Sequence, residues 1–190
     1  MTASLADHHD RALTYVRTII HGIDSEQWDW PTPCDDWTVR ELVNHVVTGN
    51  YWASELMAGK TIEEVGDRLD GDILGIDPLA KYEDSAKLAD HAFQEPGAME
   101  KMAAVSYGPV PGEVYCGHRF VDTLVHGWDL AKATGQNTDL DPGLVDACLA
   151  VIEPQLEMLQ GSGAFGDETI DVAADADPQT RLLAWTGRRA

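Results

Sequence analysis

Between Gly117 and Gly135 the chain reads GHRFVDTLVHGWDLAKATG, and within it His118, Asp122 and His126 stand four residues apart. At about 100° per residue they fall at roughly 0°, 40° and 80° on one side of an α-helix, a ladder of nitrogen and oxygen donors. Val121, Val125 and Trp128 fall at about −60°, −20° and −80°, so the ladder runs beside an apolar stripe rather than opposite it. An aspartate and a histidine one turn apart can close on a single cation, the spacing by which helices present paired ligands to zinc. The same pair also serves elsewhere as a plain surface interaction.

His45 is the third donor. It shares a helical face with Leu42, Gly49, Trp52 and Leu56, each within about 60° of it, and so points inward. Gly49 withholds a side chain where an ion or ligand needs room, although close helix packing would need the same glycine. His45, Asp122 and His126 make a nitrogen, oxygen, nitrogen set drawn from two helices, as bundles build metal sites in their cores. Three protein ligands leave positions open for water or substrate, the mark of a catalytic ion. A hydrogen-bonded core histidine is the plainer alternative for His45. His118, at the helix start and two residues after Cys116, suits an outer or entrance role rather than ligation. His8 and His9 are expected in solvent. Cys34 precedes the Thr38 helix start, where a thiol pKa can be lowered, against the simpler reading of a small buried side chain. The six tryptophans read as core packing rather than a binding cage.

These residues need helices to carry them. Leu5, Leu13, Val16, Ile19, Ile20 and Ile23 fall mostly at three- and four-residue spacing, which predicts an amphipathic helix from Leu5 to Ile23. WDWPTPCDDW is loop chemistry, and Thr38 with Glu41 forms a capping box that opens a helix from Val39 to Met57, stopped near Gly59. Gly66 to Pro78 reads as a linker before a third helix from Asp77 to Gln94, broken by Pro96 and Gly97. A further helical turn is expected over Ala98 to Ala104. YGPVPGEVY cannot be regular helix, and the long ladder helix is expected to begin near Gly117 and to end at Gly135. Asp141 and Pro142 start another helix, whose apolar stripe continues to Leu159 with a kink at Pro154. The tail offers an extended run at Ile170 to Val172 and a short helix after Pro178. Little alternates with a period of two, so the fold class is all-α, a helical bundle.

Thirteen Lys and Arg against 33 Asp and Glu leave a formal charge of −20, which excludes nucleic acid and anionic membranes as partners. The length reads as one domain, residues 1–190, with 161–190 as a C-terminal extension. Three widely spread cysteines are no disulfide framework and fit a reducing compartment, so a cytoplasmic location is expected. The N-terminus has no basic patch leading into an apolar run, and neither export nor membrane insertion is expected.

The runs PTPCDDWTVRELVNHVV (31–47), DTLVHGWDLAKATGQ (122–136) and DPQTRLLAWTGR (177–188) together resemble the metal-binding domain family of mycothiol-dependent maleylpyruvate isomerases, within the DinB-like four-helix bundles. The resemblance spans nearly the whole chain, and its two inner motifs each place a histidine at the family's helix position. It implies a divalent ion, zinc first with nickel, manganese or iron as alternatives, on His45, Asp122 and His126. It also implies mycothiol as cosubstrate and a small electrophile as substrate, in a transferase or isomerase reaction, with His118 or Asp129 orienting ligands or shuttling protons. The characterised isomerases of the family carry a longer acid at the Asp122 position and a further C-terminal domain, so the resemblance leads us to expect a difference at the acid and, with only the tail after Gly161 to stand for that domain, at the substrate side. A metal-dependent hydrolase and a non-enzymatic, metal-stabilised binding bundle remain as alternatives, and a homodimer is compatible with either.

Overall fold

The computed structural model describes residues 3–34, 37–156, 170, 172–173 and 175–189, and its chain forms two compact units, 1–137 and 138–190. The first is built on four long helices, α1 (Leu5–His21), α2 (Val39–Met57), α4 (Pro78–Gln94) and α5 (Gly112–Thr134), with a single turn, α3 (Ile62–Val65), after α2. Their starts are written locally. Ser4 and Thr38 each close a reciprocal capping box, with Asp7 and Glu41 respectively, and Asp77 caps α4 ahead of Pro78. Gly135 ends α5 in the left-handed conformation expected of a helix C-terminal glycine. α1 packs on α4 and α5, and α2 packs on the same two, which closes a four-helix bundle.

The bundle interior is not uniformly apolar. Leu13, Val16, Ile19 and Ile20 of α1 meet Leu42, Val43, Val46 and Val47 of α2, Tyr82 of α4, and Leu130 and Ala131 of α5 in one cluster. Ala53, Leu56 and Met57 meet Ala89, Phe93, Tyr115 and Cys116 in another. Along each helix a buried polar residue falls between the two: His9, Asn50, Ser85 and Arg119. Asn50 donates to Ser85, whose hydroxyl donates to the Tyr82 carbonyl.

Three expectations change here. The turn expected over Ala98 to Ala104 is a 3-10 turn at Ala98–Glu100 followed by an antiparallel hairpin, β1 (Met102–Val105) paired with β2 (Gly108–Pro111). Four-residue strands are too short for alternation to show, and Pro109 and Pro111 read as breaks although a two-stranded ribbon tolerates them on its edge. α5 begins at Gly112 rather than near Gly117, because Pro111 occupies the cap position, where no N–H is needed. Gly112 donates to the Lys101 carbonyl at 2.7 Å, and a Cβ there would collide with the Ala98 carbonyl. His9, expected in solvent, is fully buried with its ring edge-on to Phe93, because α1 turns that face into the bundle.

In the second unit Asp141 caps α6 (Pro142–Ile152), which packs on a short helix, Pro178–Trp185. Gln179 ties that helix back, accepting from the Leu140 amide and donating to the Thr138 carbonyl. α6 ends at Ile152 and Glu153–Gln155 form a 3-10 turn where the kink at Pro154 was expected, since proline cannot supply the next helical hydrogen bond, and Leu156 is helical again. Leu159 lies outside the described residues, as does part of the run Ile170 to Val172. Among the described residues no helix is long and apolar enough to cross a membrane.

Candidate metal centre

The segment before α2 is irregular in sequence but ordered by hydrogen bonds. Thr32 accepts at its hydroxyl from the Cys34 amide and donates to the Trp37 carbonyl at 2.9 Å, while the Trp37 amide donates to the Cys34 carbonyl. Pro31 bridges to Thr38, the residue that caps α2. This knot holds Cys34 and Trp37 over the second turn of α2, where His45 stands. The Trp37 ring lies 4.7 Å from the His45 ring and 6.0 Å from that of His126.

Three side chains converge beneath it. His45 Nε2 is 3.3 Å from Asp122 Oδ1, and His126 Nε2 is 3.4 Å from the same oxygen. The two imidazoles meet edge-on with their centroids 4.8 Å apart. One donor atom from each of the three lies within 4.8 Å of the others. A tetrahedral ion with bonds of about 2.0–2.1 Å separates its ligand atoms by about 3.3–3.4 Å, so this spacing fits a divalent cation held by two nitrogens and one carboxylate oxygen.

A second set, Cys34, His126 and Asp129, meets the same distance test and shares His126 with the first. The two sets use opposite ring nitrogens. His126 Nδ1 is 3.0 Å from Asp129 Oδ2, a fully buried carboxylate that also accepts from Cys34 Sγ at 3.2 Å. A ligating histidine commonly donates its other N–H to a carboxylate, which fixes the tautomer and aims the remaining lone pair. Asp129 stands in that relation to His126. With Nδ1–H given to Asp129, the ring turns Nε2 towards Asp122 and His45.

The charges around the centre are strongly coupled. Burial pushes the Asp122 carboxyl upward, but the Arg119 guanidinium and then His126 outweigh it and hold the group well below the usual carboxylate range. Burial works against a charged His126, yet the Asp122 carboxylate and the hydrogen bonds to Asp122 and Asp129 raise its pKa well above the ordinary imidazole value. His9 goes the other way, lowered to about 3 by burial and by the Arg119 charge. Arg119 is 8% exposed and donates from Nη1 to Asp122 Oδ2 at 2.8 Å.

His45, Asp122 and His126 are thus brought together, while His118 is not among them. His118 Nδ1 sits 2.6 Å from the Tyr107 hydroxyl, beside the hairpin. Cys34 is half-buried, donating to Asp129 Oδ2 with His126 Nδ1 3.7 Å away, neighbours that no local spacing announces. Of the tryptophans, Trp128 is core, whereas Trp37 covers the candidate ligands. The space at Gly49 is filled by Arg119 rather than kept for a ligand: a Cβ there would fall on Cζ, Nη1 and Nη2. Arg119 went unnoticed in the sequence because an i, i+3 Arg and Asp pair is ordinary on a helix surface.

Residues 9–131 match the family described as the mycothiol maleylpyruvate isomerase N-terminal domain. Two uncharacterised proteins of Mycobacterium tuberculosis, from strains CDC 1551 / Oshkosh and ATCC 25618 / H37Rv, are each 36% identical over 185 residues, covering 95% of this chain and 95% of theirs. The crystal structure of the mycothiol-dependent maleylpyruvate isomerase superposes with a TM-score of 0.62 at 16% identity, over 90% of this chain and 78% of that one. A histidine-to-alanine mutant of that enzyme gives 0.63 at 15% identity, over 86% and 76%. At that identity the likeness is one of fold, the DinB-like four-helix bundle.

Proposed function

The chain belongs to the family of the mycothiol maleylpyruvate isomerase N-terminal domain, and from that premise we propose that it is a metal- and thiol-dependent transferase or isomerase acting on a small electrophile. The observation that carries the reading is the convergence of His45 Nε2 and His126 Nε2 on one oxygen of Asp122, at the spacing of ligands around a single cation. His45, Asp122 and His126 would hold the ion, with zinc the first choice for two nitrogens and one oxygen in a tetrahedral set. When bound, a divalent ion favours the thiolate form of a coordinating thiol at neutral pH.

The protein's own groups prepare that chemistry. Asp129 holds the His126 ring in its ligating tautomer, and Trp37 covers both imidazoles and limits water. Charge favours an anionic partner. The carboxylates of Asp122 and Asp129 exceed the Arg119 guanidinium by one negative charge, a divalent cation turns the balance to one positive charge, and a thiolate restores neutrality. Mycothiol, neutral apart from its thiol, meets no penalty from a chain of charge −20.

The test is turnover of small unsaturated acids and ketones by zinc-loaded protein with and without mycothiol, following loss of the electrophile. Turnover should need both metal and thiol, and His126→Ala should lose the metal and nearly all activity. Equal turnover without the thiol would move the reading to hydrolysis or another metal-water reaction. Full activity and metal stoichiometry in the His126→Ala protein would sink it.

A further inference from the structure

Resting on the metal reading above, we propose that Arg119 is a positioning residue that makes Asp122 offer the ion one oxygen only, and that Gly49 is the residue that lets it do so. Asp122 has two oxygens with different partners. Oδ2 accepts from Arg119 Nη1 at 2.8 Å, and Oδ1 faces both histidines at 3.3 and 3.4 Å. A carboxylate free to rotate can close on a cation with both oxygens, which raises the coordination number and takes a position that an outside ligand would use. Clamped on Oδ2, Asp122 is restricted to a single bond. The guanidinium also draws negative charge from the carboxylate, so the ion keeps more of its own charge for the incoming ligand.

The clamp is built across the bundle. Arg119 leaves α5 within the polar layer between the two apolar clusters, and its guanidinium lies against Gly49 of α2, one turn beyond His45. A Cβ at Gly49 would occupy the place of Cζ, Nη1 and Nη2, so any larger residue must push the guanidinium off its line to Asp122. Gly49 is a helix-interior glycine, unfavourable for helix stability, and the close approach of Arg119 accounts for it. The arrangement puts the Arg119 guanidinium, the Asp122 carboxylate and His126 along about two turns of α5, with the helix that carries His45 supplying the opening.

The test uses the cobalt(II)-substituted full chain, because four-coordinate cobalt absorbs visible light much more strongly than five- or six-coordinate cobalt. Arg119→Met should still fold and take up one ion per chain, but its visible absorption should fall about threefold or more, and competition should shift from zinc towards manganese, which prefers more oxygen ligands. Arg119→Lys, which keeps a donor, should lie between Met and the wild type. Gly49→Ala should reproduce the Met spectrum, and adding it to Arg119→Met should change nothing further. Circular dichroism and melting of the metal-free forms separate these effects from loss of fold, and the Lys and Gly49 variants carry the test if the Met variant does not fold. Wild-type spectrum and metal preference in the folded variants would overturn the inference while leaving the metal reading intact. A wild-type chain that takes up no cobalt would overturn both.

Discussion

On the metal reading proposed above, His126 stands where a proton and an ion compete. With both ring nitrogens protonated it faces Asp122 on one side and Asp129 on the other, which is why its pKa in the metal-free chain is raised. A cation must displace the Nε2 proton, so metal uptake near neutral pH should release protons. Calorimetry in buffers of different ionisation enthalpy should show this, with affinity climbing as pH rises; a pH-independent affinity would contradict it. The sign for stability is opposite. A raised histidine pKa contributes stability that is complete below about 6.5 and is lost as pH rises through the raised value, while the lowered Asp122 pKa contributes above about 3.8 and is lost on acidification. The chelated protein should therefore melt at its highest temperature between those limits, and zinc should abolish the decline on the alkaline side.

Among the elements, α5 does most of the positioning, and its contact with α1 is close. A Cβ on Gly127 would come within 2.7 Å of Tyr15 Cε1 and 2.8 Å of Val16 Cγ2, so this glycine sets the approach of the two helices. Gly127→Ala should cost about 1–3 kcal/mol of stability, read as a lower denaturant midpoint, with metal stoichiometry retained. An unchanged midpoint would mean that the contact yields easily. α2 has the boundaries expected from sequence, because the Thr38 and Glu41 capping bonds span only three residues. α5 starts five residues before the Gly117 expected from sequence, because Pro111 and Gly112 read as breakers unless the hairpin that ends on them is known.

At the scale of the molecule, the excess of 20 negative charges repels itself across a chain of 190 residues. Screening should relieve it. Raising salt from about 10 mM to about 0.3 M shortens the Debye length to below the spacing of most surface charges, and the melting temperature should rise by several degrees. A fall with added salt would show that attractive ion pairs, such as Arg17 with Glu83 and Arg40 with Asp72, outweigh the general repulsion.

The four long helices, apart from the first turn of α5, and the placing of Asp122 and His126 on one side of α5 were legible in the residues alone. All of these follow from hydrogen bonds and side-chain periods that reach no further than one or two helical turns. Tertiary structure alone decided that Cys34 lies against His126 and Asp129, 92 and 95 residues away, that Arg119 fills the space at Gly49, and that His9 is buried near the N-terminus. The physical reason is that burial and charge pairing belong to neither partner separately. They depend on which helix faces meet and at what distance, and a guanidinium next to a glycine on another helix leaves no local trace in the order of residues.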